Sequence, residues 1–211
     1  MNILITEANR TALVKKGRSL EIFTIIWNSL EGFIAIASGI IAGSIALVGF
    51  GFDSGIEVLS GLIMWVRLSL DANEARREKI ENISLRLVGV SFLILAAYVG
   101  FDSISMLLNH EPPRKSVIGI ALAVLSLVIM PWLAKQKRTV ATAINSRSLA
   151  ADAKQTDFCV YLSAILLVGL LLNSLFGWWW ADPVSALLMV PIIAKEGWEG
   201  TRGESCCNRC H

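Results

Sequence analysis

Residues 44–68 read SIALVGFGFDSGIEVLSGLIMWVRL. The stretch is long and apolar enough to cross a bilayer, since about 20 such residues span the hydrocarbon core as a helix. Its only charges before Arg67 are Asp53 and Glu57, and both lie well inside it. A carboxylate at mid-membrane costs roughly 2.5–3.5 kcal/mol on insertion scales, so each needs a partner. No Lys or Arg of the same span is near enough to serve. Four residues apart on a helix, the two side chains share one face. That spacing can offer two oxygen ligands to a single cation. The bland alternative is that both are protonated and hydrogen-bond between helices as structural glue.

The rest of the chain places this span among others. The protein has 211 residues, of which 55% are hydrophobic and 17% charged, with a mean hydropathy of +0.61. A soluble domain of this length is far more polar. A net charge of +2 suggests no nucleic-acid partner. Apolar runs at 21–43, 44–68, 82–108, 116–134, 149–174 and 179–198 predict an all-α membrane domain of six transmembrane helices. The Gly43-Ser44 corner divides the first hairpin, Asn82 is a candidate cap for the third helix, and Pro112-Pro113 follows that helix. Gly177 and Trp178-Trp179-Trp180 divide the last two spans. Small residues at Ala35, Gly39, Gly43, Gly51 and Gly55 suit close helix packing.

Orientation follows from the basic residues. All Lys and Arg except Arg114, Lys115 and Lys154 fall on the side of the chain termini, which the positive-inside rule assigns to the cytoplasm. The tryptophan run then falls at the outer interface. The N-terminus is too polar, and the run after it too long, for a signal peptide. The expected organisation is a cytoplasmic tail over 1–20, a six-helix transporter domain over 21–198, and a cytoplasmic Cys/His-rich tail over 199–211. The protein is expected to be integral and multi-pass, in the plasma (inner) membrane if its source is bacterial.

The stretch GIIAGSIALVGFGFDSGIEVLSGLIMWVRL resembles the first-hairpin region of the cation diffusion facilitator (cation efflux) family, whose second helix carries an acidic pair after a small-x-S-x-A-L stretch. SRSLAADAKQTDFCVYLSAILLVGLLLNSLFGWWWADP resembles the family's fifth helix and the start of its sixth, and MLLNHEPPRKSVIGIALAVLSLVIMPWLA fits the passage between its third and fourth. The resemblance implies a six-helix exporter of divalent metal, working by proton antiport and usually as a homodimer. It implies metal ligands at Asp53 and Glu57.

The family's fifth helix usually supplies H-x-x-x-D three residues after an Ala-Asp pair. Aligned without a gap, Gln155 stands for the His and Cys159 for the Asp. A gapped alignment brings in Asp157 instead. The chain also stops about a dozen residues after the last run, where the resemblance implies a short branch without the family's cytoplasmic C-terminal domain. A Cys facing two carboxylates suits Zn²⁺ or a similar divalent ion as the transported species, with no other cofactor. Gln155, Asp157 or water would complete the shell.

Other polar residues extend the picture. Asn28 and Glu31 share a face of the first span and could line the ion's path, or simply be buried and hydrogen-bonded. Asp152 could line an inner vestibule. Lys154 is expected to snorkel or to pair with Asp152 or Asp157. Asp182, before Pro183, reads as a helix N-cap with Pro at N1. The tail CCNRCH holds Cys206, Cys207, Cys210 and His211, which at this density could bind a soft metal in a reducing compartment. Two rivals stand beside transport. One is a membrane-embedded enzyme using a Cys/carboxylate site, against which no span holds a His. The other is a metal-sensing scaffold whose tail is the active part.

Overall fold

A computed structural model describes residues 7–69, 74–110 and 112–202. It contains six α-helices: α1 (Glu7–Ala42), α2 (Ile45–Ser69), α3 (Glu74–Asn109), α4 (Val117–Ala143), α5 (Arg147–Phe176) and α6 (Ala181–Thr201). Helix is what the apolar runs demand, because a chain in lipid must satisfy its backbone hydrogen bonds within each segment.

Helices stop where the chain can supply a turn. Gly43 takes a left-handed φ of +67°, which a residue without Cβ adopts freely. Ser44 N–H then closes on the Gly39 carbonyl at 2.9 Å. Gly177, at φ 69°, ends α5 in the same way. Ser116 and Ser146 cap α4 and α5 by accepting from the backbone N–H of Gly119 and Leu149. Asn82 does not open the third helix, because α3 begins at Glu74 and runs through it. The segment expected as an N-terminal tail is helical from Glu7 and continuous with the first span.

Among the described residues, five helices are long and apolar enough to cross a membrane: those over Arg10–Ala42, Ile45–Ser69, Arg86–Asn109, Val117–Ala143 and Leu149–Phe176. The sixth expected run is the helix α6, but it is not apolar enough to join them on composition. It carries Asp182, Lys195, Glu196 and Glu199.

The hairpins α1–α2 and α4–α5 pack into a four-helix group, and α3 and α6 form a pair beside α2 and α5. Small residues let the backbones approach. A Cβ on Gly51 would come within 2.6 Å of Ile36 and 3.1 Å of Ala35, and one on Gly39 within 2.7 Å of Val48. Gly55, of the same stripe, faces open space instead. Across the α3–α6 contact, a Cβ on Gly89 would lie 2.5 Å from the Thr201 nitrogen.

Exposure is inverted relative to a soluble protein. Phe33, Ile41, Phe101, Leu108, Val117 and Leu175 are exposed, while Glu21, Glu31, Asp53, Glu57, Lys137 and Asp152 are buried. An apolar exterior around a charged interior suits lipid as the solvent. Trp178 stacks on Trp180 at 5.1 Å between ring centroids, at the end where α5 passes into α6. Exposed aromatic rings at a bundle end are typical of a membrane–water interface.

Candidate metal centre

Asp53 and Glu57 project from one face of α2 into the bundle and are only 5% and 3% exposed. The face is set by the glycines on the opposite flank, which seat α2 against α1. From α5, the Thr156 hydroxyl donates to Glu57 Oε1 at 2.8 Å. Glu57 Oε2 has no hydrogen-bond partner among the described residues. The Cys159 thiol, also buried, lies beside Asp53 and Glu57 and within reach of both charges. The interhelical pairing of acidic residues on α2 with position 159 on α5 is therefore present in the fold.

A small cavity of about 10 Å³ opens against this cluster. Asp53, Glu57, Gln155 and Glu196 form its polar wall, and Phe92 and Phe158 stand among its apolar lining. That volume is near the least that holds one water-sized body. Gln155 is half-buried, and among the described residues its Nε2 is unpartnered, as is Glu196 Oε2. Among the described residues, no three His, Cys, Asp or Glu side chains are gathered closely enough to hold a metal ion as they stand.

On the α1 side, Glu31 is buried and accepts from the Ser54 hydroxyl at 3.1 Å, leaving Oε1 unpartnered. Asn28, one turn away, donates to the Thr24 carbonyl at 3.0 Å, with Oδ1 unpartnered. Both face the interior, and Glu31 is close enough for its charge to act on Asp53 and Glu57.

Asp157 lies elsewhere. It is ion-paired with Arg138 of α4 on a partly exposed face and does not line the cavity. Two residues of helix rotation carry it away from the face that holds Gln155 and Cys159. Asp152 has a partner on each oxygen: it accepts from the Lys137 ammonium at 2.5 Å and from the Ser60 hydroxyl at 3.0 Å. Lys154 is exposed, and both aspartates expected to pair with it have other cations.

Sequence reasoning missed the ion triad that Asp152 belongs to. Lys137 is wholly buried and contacts Glu21 Oε2 at 3.1 Å as well as Asp152. The Glu21 contact is a charge contact rather than an aligned hydrogen bond, since neither of its oxygens has a hydrogen-bond partner. The signal that could have found it is the continuation of helical periodicity from α4 through Lys137 to Ala143, which makes KQKR part of a helix instead of a loop.

Asp182 does cap a helix, but not its own. α6 begins at Ala181 after Trp180, and Asp182 accepts from the Ser44 hydroxyl and from the N–H groups of Ile45 (3.0 Å) and Ala46 (3.4 Å) at the start of α2. Cys206, Cys207, Cys210 and His211 fall outside the described residues.

Comparison with known proteins agrees with this architecture. Residues 22–202 match the cation efflux transmembrane domain. The chain is 25% identical over 180 residues to an uncharacterized transporter of Methanocaldococcus jannaschii, which covers 82% of this chain and 63% of that one. It is 25% identical over 177 residues to a cation-efflux pump of Shewanella oneidensis, covering 79% and 58%. It is 21% identical over 199 residues to a cadmium, cobalt and zinc/H(+)-K(+) antiporter of Bacillus subtilis, covering 89% and 62%. The chain thus spans less than two thirds of the length of each of these relatives. With a match over most of its length, an all-helical fold and an apolar exterior, the chain is an integral, multi-pass membrane protein belonging to the cation efflux family.

Proposed function

We propose that this protein exports a divalent metal cation, Zn²⁺ or one of similar chemistry, in exchange for protons, through a site between α2 and α5. The observation that carries the reading is the buried pair Asp53 and Glu57, with one Glu57 oxygen unpartnered and the Cys159 thiol beside both. Asp53 and Glu57 would be the primary ligands, Cys159 the third, and Gln155 or water the fourth. Two of the relatives are named as a cation-efflux pump and as a cadmium, cobalt and zinc antiporter, which supports a metal as the transported species.

Proton coupling follows from the ligands themselves. Carboxylate and thiol bind metal only after losing their protons, so metal loading releases protons and metal release lets them return. Mutual repulsion among buried carboxylates favours that return. The Lys and Arg distribution supports both termini on the cytoplasmic side, with α6 crossing as the sixth span. Transport, rather than enzymatic chemistry, is what membership of this family favours.

The test is flux in sealed vesicles. Purified protein reconstituted with a trapped metal dye and a pH dye should move Zn²⁺ and protons in opposite directions. Asp53→Asn keeps the shape and hydrogen bonding but removes the charge, and should abolish both signals while the protein still inserts. Unchanged flux in that variant would sink the assignment of the site to α2.

A further inference from the structure

We infer that Glu196, on α6, is a further cation ligand of the α2–α5 site and weights its donor set toward oxygen. This rests on the proposed cation site between α2 and α5. It adds a helix that neither the acidic pair nor the Gln155/Cys159 pattern points to.

Three observations carry it. Glu196 lines the same cavity as Asp53, Glu57 and Gln155. Among the described residues its Oε2 is buried without a hydrogen-bond partner, as is Glu57 Oε2, so carboxylate oxygens from two helices are left unsatisfied around one space. Buried polar atoms are otherwise almost always paired, and Glu57 is 97% withdrawn from solvent, with 3% exposure. Glu196 is also near enough for its charge to act on Asp53.

The ordinary alternative is a carboxylate near a helix end that serves the surface charges. Lys195, Lys154 and Glu199 do lie within its electrostatic reach. That explains one side of the group and leaves the buried oxygen without a role. The position is also held from behind. Gly197, its neighbour, lies against the α3 backbone, where a Cβ would come within 2.9 Å of the Gly89 carbonyl and of the Leu93 nitrogen. Turning α6 about its axis to carry position 196 away from the cavity would break that contact.

The chemistry follows from the donor types. Asp53, Glu57 and Glu196 on the cavity wall offer hard oxygen donors, while Cys159, beside Asp53 and Glu57, is the one soft donor of the proposed set. Glu196 should therefore contribute more to binding a hard ion such as Mn²⁺ than a soft one such as Cd²⁺.

Equilibrium titration of Mn²⁺ and Cd²⁺ into the full chain in lipid nanodiscs tests this on four proteins: wild type, Asp53→Asn, Glu196→Gln and Glu196→Cys. Glu196→Gln should weaken Mn²⁺ binding by about tenfold or more, the scale on which loss of a supporting group affects a metal site, and should weaken Cd²⁺ less. Glu196→Cys should recover or exceed wild-type Cd²⁺ binding while Mn²⁺ binding stays weak, a reversal of preference that loss of packing cannot produce. If both Glu196 variants bind both ions like wild type while Asp53→Asn binds neither, Glu196 is not a ligand and the α2–α5 site stands. If Asp53→Asn also binds like wild type, the α2–α5 site itself is refuted, and Glu196 with it.

Discussion

Replacing Lys137 by Met removes the one cation that Glu21 and Asp152 share. The ammonium sits 3.1 Å from Glu21 Oε2 and 2.5 Å from Asp152 Oδ2, with the three side chains 0%, 0% and 3% exposed. At an effective dielectric constant of about 20, these contacts contribute roughly 5 and 7 kcal/mol of attraction. Desolvation of the three groups offsets most of that, so the intact triad adds little net stability. Met fills a similar volume but leaves two buried carboxylates facing each other. Removing one partner of a buried ion pair costs about 3–5 kcal/mol, a factor of about 10² to 10³ or more in the folding equilibrium.

The assay is unfolding of the lipid-reconstituted protein by added denaturing detergent, followed by helical circular dichroism. Lys137→Met should shift the midpoint strongly toward lower detergent. The triple variant Glu21→Gln, Lys137→Met, Asp152→Asn removes all three charges of the triad and should return most of the loss. A Lys137→Met protein within about 1 kcal/mol of wild type would refute the argument, because that is the range of an exposed pair. A triple variant no better than the single one would show that Lys137 acts by packing rather than by charge.

Cys159→Ser should weaken Cd²⁺ transport more than Zn²⁺ transport, because a hydroxyl is a harder donor than a thiolate, and Asp157→Asn should leave both nearly unchanged; flux measured for each metal decides. Equal loss for both metals in Cys159→Ser, together with loss in Asp157→Asn, would transfer the α5 ligand to Asp157. Asp182→Ala should destabilise the protein by about 0.5–2 kcal/mol, the usual range for losing a helix cap, in the same unfolding assay. Its effect belongs to α2, so amide exchange should rise at Ile45 and Ala46 ahead of any rise within α6.

What was legible in the sequence was whatever depends on local patterning. Apolar run length located six helices, and the Gly43 and Gly177 turns lie where glycine was expected to end them. The acidic pair of α2 was legible because two carboxylates in an apolar run have no local explanation. Glu196 and Lys137 were not. Each lies near a helix end among other charges, in AKEGWEG and KQKR, where a charged residue normally meets water. Only tertiary packing distinguishes the buried member of such a cluster from its exposed neighbours. Asp182 shows a related limit. Its sequence context identifies a capping residue correctly, but nothing local says that the N-terminus it caps belongs to α2.

That borrowed cap is also a mechanical joint. It ties the start of α2 to the start of α6 at one end of the bundle, through a carboxylate and the N–H groups of Ile45 and Ala46. From Asp182 to Glu196 along α6 is about 21 Å, and from Ile45 to Glu57 along α2 about 18 Å, at 1.5 Å per helical residue. The two arms are nearly equal and share that joint, with Glu57 and Glu196 near their far tips. A swing of about 5° at the joint displaces a tip 21 Å away by about 2 Å, close to the length of one metal–oxygen bond. At the proposed site a rotation of that size would make or break one ligand contact, and the close α3–α6 packing at Gly89 and Gly197 resists it at the Glu196 end.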